Sequence, residues 1–163
     1  MTGQDVVEIL GLLRGAGFQA WVGGGWGFDA LLGRQTRGHR DLDLMHRREE
    51  EDTVVAALAA AGFTESLDRR PVRCAVTDAR GRELDLHPPA FAADGRAVQA
   101  SPVPGRPFLY PAACFVTGEV ERTAVACLSA DQQVYFHQGY EPADRDRHDM
   151  LMLREAFGIT THF

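Results

Sequence analysis

Apolar residues recur at helical spacing at Val6, Ile9, Leu10 and Leu13, which predicts an amphipathic helix over residues 5–15 closed by Gly15 and Gly17. Residues 18–22 read as a short buried strand that runs into the turn Gly23-Gly24-Gly25. Helical spacing returns over 26–32, with Gly33 as its stop. A polar, basic connection over 34–40 leads to a second strand over 41–45, where acids and apolar residues alternate. Glu49, Glu50, Glu51 and Asp52 open the next helix, where acids suit the positive end of the dipole. Val54, Val55, Leu58 and Ala61 carry its apolar face, and Gly62 ends it. Residues 72–77 and 83–87 read as a strand pair around Asp78-Ala79-Arg80-Gly81.

The next segment, 88–111, is rich in proline and glycine and has little periodicity. It reads as a long connection of the kind that lies over a binding site. One more short strand is expected within 118–128. Ser129-Ala130-Asp131-Gln132 has the form of a capping box, starting a helix that ends near Gly139, and a last helix covers about 144–157. The fold class that follows is α/β (α+β), a small mixed β-sheet core flanked by helices, with C-terminal helices. A chain of 163 residues suffices for one domain, about 1–127 as the α/β core and about 128–163 as the helical part.

The chemistry concentrates in Asp41-Leu42-Asp43-Leu44. Side chains alternate across a strand, so both carboxylates share one face and the leucines take the other. Two ionised acids side by side need a compensating cation, and a hard ion bound by oxygens, most simply Mg²⁺, suits them. The glycine turn upstream offers backbone N–H groups to phosphate. In Glu83-Leu84-Asp85-Leu86-His87 the same alternation places Glu83, Asp85 and His87 together. If that strand lies beside the first, Asp85 completes three carboxylates for two metal ions roughly 3.5–4 Å apart. Asp-x-Asp alone is a weak signal; the glycine block and Asp85 in order give it weight.

Composition narrows the classes. All 17 basic residues are arginine, which excludes a P-loop lysine and a Schiff-base lysine. A net charge of −6 argues against an extended nucleic-acid footprint and for a small acceptor. Cys74, Cys114 and Cys127 are scattered and read as reduced core thiols. With no membrane-spanning run and no basic start to the N-terminus, a cytoplasmic protein is expected.

Gly24-Gly25-Trp26-Gly27-Phe28-Asp29-Ala30-Leu31-Leu32-Gly33, followed by Thr36-Arg37-Gly38-His39-Arg40-Asp41-Leu42-Asp43, is very similar to the small lincosamide nucleotidyltransferases. These belong to the antibiotic-resistance branch of the polymerase-β-type nucleotidyltransferases, and aminoglycoside 2″-nucleotidyltransferases share much of the block. Leu84-Asp85-Leu86-His87-Pro88, Phe136-His137-Gln138-Gly139-Tyr140 and His148-Asp149 also resemble the lincosamide branch. The resemblance implies that Asp41 and Asp43 bind both Mg²⁺ ions and that Asp85 binds the catalytic one and accepts the acceptor's proton. It implies that Gly24 and Gly25 approach the β and γ phosphates of ATP or another nucleoside triphosphate. Trp26, Arg37 and His39 come with the block as nucleotide-binding candidates, although Trp26 suits a packing anchor better than a base stacker.

The resemblance further implies transfer of a nucleoside monophosphate to a hydroxyl of a small antibiotic, a lincosamide first and an aminoglycoside second. A nucleotidyltransferase-fold antitoxin that binds a partner protein, and a homologue turned to another metabolite, are the competing functions. A homodimer that builds the acceptor site from both subunits stays open. Asp29 is expected to pair with Arg34 or Arg37, and His39 to make a structural hydrogen bond or neighbour a metal. His87 is a weak candidate for acceptor contact. His137 and His148 read as structural, Tyr140 as a core tyrosine, and Arg145 and Arg147 as surface residues.

Overall fold

The computed structural model describes residues 1–163. Helix α1 (Gly3–Gly15) starts on Thr2, whose hydroxyl accepts from the Asp5 backbone N–H while Asp5 accepts from the Thr2 N–H. Strand β1 (Ala20–Val22) runs through the glycine turn into α2 (Gly24–Leu32), which Gly33 ends in the left-handed conformation. Strand β2 (Asp41–His46) and a 3-10 turn lead to α3 (Glu51–Ala60). Strands β3 (Phe63–Arg69), β4 (Arg73–Asp78) and β5 (Glu83–His87) follow. Next come β6 (Ala90–Phe91), β7 (Ala97–Gln99), β8 (Phe108–Tyr110), β9 (Phe115–Val120) and β10 (Thr123–Leu128). Helices α4 (Ala130–Phe136) and α5 (Asp144–Phe157) complete the chain.

Seven strands form one mixed sheet in the order β3-β4-β5-β2-β1-β10-β9, and β6-β7-β8 form a second, small sheet. The expected α/β class, a mixed sheet flanked by helices, is what the chain adopts. Strands β2 and β5 are parallel neighbours, with Leu42 opposite Leu84 and Leu44 opposite Leu86. All four leucines are fully buried in the main core, which also takes Val6, Ile9 and Leu13 of α1 and Leu58 of α3. Each contributes about 1.5–3 kcal/mol by its burial. A one-residue slip would exchange these leucines for the acids between them, so the register of the acidic face is fixed from the apolar face.

Two expectations are corrected. Residues 88–111 are not an unstructured connection but carry β6, β7 and β8, each only two or three residues long and too short to show a period. The single strand expected within 118–128 is a hairpin of β9 and β10, turning at Glu121 and Arg122, both with positive φ (49° and 59°). Such a turn normally advertises itself with Asn-Gly, and this one does not. Strand β3, on the sheet edge, has no counterpart among the expected elements; only Phe63 of it is buried, so no apolar alternation marks it.

Candidate active site

Asp43 sits directly opposite Asp85 across the β2–β5 ladder, and Asp41 opposite Glu83. Asp41 and Asp43 share a face, about 6.6 Å apart along the strand by ordinary pleat geometry. Asp43, Asp85 and His87 bring one ligand atom each within 4.8 Å of one another. Asp41 lies outside that tight group and accepts from Arg40 at 3.1 Å. His87 Nε2 lies 3.2 Å from Asp43 Oδ1 and 3.9 Å from Asp85 Oδ1.

The glycine turn closes over Asp43. Gly23 N–H donates to the Asp43 carbonyl at 3.0 Å. Gly24 is left-handed (φ 52°), and a Cβ on it would overlap the Asp43 carboxylate. Gly25 leaves room for His39 Nδ1 and for Arg37 Nη2, which would stand 2.9 Å from a Cβ there. The first N–H groups of α2 have no helical partner and open onto the same space. Gln133 of α4 packs on Gly27 and donates to the Gly24 carbonyl at 3.3 Å, tying the helical C-terminal part to the turn.

The loop from Gly33 to Arg40 is held by Asp29, which is buried. Asp29 accepts from Thr36 N–H at 2.9 Å and from the Thr36 hydroxyl at 2.8 Å, and pairs with His39 Nε2. The expected partner, Arg34 or Arg37, is therefore corrected to His39 and Thr36. Arg37 instead makes a bidentate contact to Asp149 of α5, Nε to Oδ1 at 2.8 Å and Nη2 to Oδ2 at 2.6 Å.

These groups line a cavity of about 860 Å³. Gly24, Gly25, Arg37, His39, Asp41 and Asp43 are on its wall with His87. Trp26 is not: its indole is buried in the main core and packs on the His39 ring at 4.7 Å. Trp26, named with the block as a nucleotide-binding candidate, is instead a packing anchor against His39, 2% exposed and absent from the cavity wall. His137, Tyr140 and Arg145 also reach the wall, and Tyr140 is 46% exposed rather than a core tyrosine. The lining also includes the apolar and aromatic residues Met45, Phe108, Tyr110, Leu128 and Phe136.

Asp85 is held by Arg73 of β4 through Oδ2, while its Oδ1 is buried with no hydrogen-bond partner. Burial works against the charge on Asp43, but the His87 hydrogen bond and the positive field of Arg73 outweigh it and hold the carboxyl below its ordinary range. Burial disfavours the His87 cation as well, and the Asp43 carboxylate more than offsets this. Arg73, Gln99 and Gln133 escaped the reading of the sequence, and Asp149 entered it only within the His148-Asp149 block, with no role. Alternation in β4 put Arg73 on one face with Ala75 and Thr77, but only the register, Ala75 opposite Asp85, brings it to the acids. The three cysteines are buried, and burial lifts the Cys74 and Cys127 thiols to about 11.

An Asp-x-Asp strand beside a parallel strand bearing a third acid, under a glycine turn that opens a helix, is the framework of a nucleotidyltransferase, and this chain is one. It shares the fold of the lincomycin-bound lincosamide antibiotic adenylyltransferase LnuA at a TM-score of 0.85 and 28% identity, covering 94% of this chain and 97% of that one. The chain belongs to the aminoglycoside-2″-adenylyltransferase family, whose model matches residues 5–153. A lincosamide resistance protein from Staphylococcus haemolyticus is 29% identical over 154 residues, 94% of this chain and 95% of that protein. A 2″-aminoglycoside nucleotidyltransferase from Klebsiella pneumoniae is 42% identical over 64 residues, 37% of this chain and 36% of that protein. The structure of ANT(2″)-Ia with adenylyl-2″-tobramycin matches in fold, with a TM-score of 0.75 at 20% identity over 96% of this chain and 89% of that one.

Proposed function

We propose that this chain transfers a nucleoside monophosphate from ATP, or another nucleoside triphosphate, to a hydroxyl of a lincosamide, releasing pyrophosphate. The observation that carries this reading is the register of Asp43 on Asp85, with Asp43 on the wall of the cavity that the glycine turn also lines and Asp85 just behind that wall. Asp43 and Asp85, with Asp41 farther along the same face, would offer hard divalent ions an all-oxygen set, and the partnerless buried Oδ1 of Asp85 is the kind of atom such an ion would satisfy. Two Mg²⁺ ions, when bound, neutralise charge on the phosphates. The chain's own residues do the rest. The N–H groups of Gly24 and Gly25 receive phosphate oxygens. Asp43 stays ionised for its task because His87 and Arg73 stabilise its charge. Asp85, released from Arg73, would take the acceptor hydroxyl's proton. Residues 1–163 act as one domain in this account, since Gln133 and Asp149 of the helical part hold the turn and the loop of the α/β core.

The acceptor is assigned from the wall chemistry. A polycationic aminoglycoside needs free carboxylates. Beyond the proposed metal set the cavity offers Asp146 and Asp149; Asp149 is neutralised by Arg37, and Asp146 accepts from the Ala143 N–H as part of the α5 start. The aromatic and apolar wall suits a drug with an apolar arm and a hydroxylated sugar. No helix of the chain is long and apolar enough to cross a membrane. Incubation with lincomycin, ATP and Mg²⁺ should yield nucleotidylated drug by mass spectrometry. Product with tobramycin but none with lincomycin would reverse the acceptor assignment, and no product with either would remove the activity.

A further inference from the structure

His87 faces two carboxylates at distances a metal ion could bridge, so spacing alone would make it a nitrogen ligand. Its other ring nitrogen says otherwise. Gln99 of β7 is 1% exposed, and its Nε2 donates to the Val72 carbonyl at 2.8 Å. A carbonyl only accepts, so that contact fixes which end of the amide is nitrogen. Tyr110 of β8 agrees, because its hydroxyl donates to Gln99 Oε1, and burial raises the Tyr110 pKa so far that the hydroxyl keeps its proton. The second N–H of Gln99 therefore points at His87 Nδ1, 3.2 Å away. Nδ1 must be the bare nitrogen, and Nε2 carries the proton that Asp43 accepts.

The geometry points to a positioning role for Gln99: with Tyr110 and Val72 behind it, it locks His87 as a donor to Asp43 and thereby keeps the metal site all oxygen. The inference rests on the proposed metal site. If Nε2 is to bind a metal, the ring must move its proton to Nδ1, where it would face the N–H of Gln99. The lock has two consequences. Asp43 is held by one oxygen and presents the other to the cavity under Gly24. Hard ions are favoured over those that seek imidazole.

The test uses the full chain loaded with Mn²⁺ alone and with Co²⁺ alone. Pulsed electron paramagnetic resonance of the Mn²⁺ form should show no directly bound imidazole nitrogen in the wild type. Gln99→Leu, which removes the opposing N–H at similar volume, should bring in that nitrogen signal and tighten Co²⁺ relative to Mg²⁺ by roughly tenfold, the worth of about one buried hydrogen bond. Tyr110→Phe leaves both Gln99 donors in place and should leave the signal unchanged. Nitrogen-15 spectra of the metal-free wild type should show the proton of His87 on Nε2. A proton on Nδ1, or a bound nitrogen in wild-type Mn²⁺ enzyme, overturns the inference even if Gln99→Leu does not fold. Failure of Mn²⁺ to bind the wild type at all would instead overturn the metal site, and the tautomer spectrum would still decide the state of His87.

Discussion

Gly24→Ala tests how tightly the glycine turn closes on the acids. Two costs separate cleanly. Gly24 is left-handed with φ 52°, and an alanine there costs roughly 1–2 kcal/mol in backbone strain. The added methyl would also overlap Asp43 Oδ2, so the carboxylate must turn and give up its bond to His87. A hydrogen bond to a charged group is worth about 1.5–3 kcal/mol, which brings the total to roughly 2.5–5 kcal/mol. Gly33 supplies the control. Its φ is 66°, and a Cβ there would meet nothing within 4 Å, so Gly33→Ala carries the strain alone. Thermal melts should therefore rank wild type, Gly33→Ala and Gly24→Ala in falling order. The gap between the variants should be about 3–12 °C at roughly 2–4 °C per kcal/mol for a chain of this size. Mn²⁺ titration should show weaker binding for Gly24→Ala only. Equal melting temperatures for the two variants, with equal Mn²⁺ affinity, would refute the close approach of Gly24 to Asp43.

The other predictions concern charge. Asp43→Asn and Asp41→Asn should abolish turnover and weaken metal-dependent nucleotide binding, with circular dichroism unchanged; full activity with Mg²⁺ in either variant contradicts the roles proposed for them. Arg73→Ala frees Asp85 from its present counter-ion and should tighten Mn²⁺ binding without nucleotide by about tenfold, one charge-assisted bond's worth, by isothermal titration. Weaker or unchanged binding would mean that Arg73 does not compete with the ion. Asp5 is held below its ordinary 3.8 by the bonds from Thr2 and by Arg80 and Arg82, so its contribution is complete above that value and is lost as pH falls through the lower folded value. Asp5→Asn should flatten the acid limb of the stability–pH profile and leave activity at neutral pH alone; an unaltered acid limb counts against the contribution.

The helices and the acidic strand were legible because their signals are local. Val6, Ile9, Leu10 and Leu13 mark α1 by period, and Asp41-Leu42-Asp43-Leu44 marks β2 by alternation. The glycine block also carried its own reason: Gly24 and Gly25 are where side chains of Asp43, His39 and Arg37 come closest to backbone. What stayed hidden depends on partners distant in sequence. The bidentate Arg37–Asp149 pair spans 112 positions, and nothing near Arg37 marks Asp149 as its partner. Gln99 and Tyr110 lie on strands of three residues, and Gln99 is held by Tyr110, by Val72 and by His87, all distant in sequence. The β9–β10 hairpin turns on Glu121 and Arg122, residues that rarely accept positive φ, so the chain gave no turn signal there.

A crystal of the protein soaked with Mg²⁺ and a non-hydrolysable ATP analogue tests the central claim most directly. Ions bound by Asp41, Asp43 and Asp85 and shared with the phosphates, the phosphates resting on the N–H groups of Gly24 and Gly25, and Arg73 drawn off Asp85, is the result expected. Nucleotide bound elsewhere, or bound here while Asp85 stays on Arg73 and holds no ion, would contradict it.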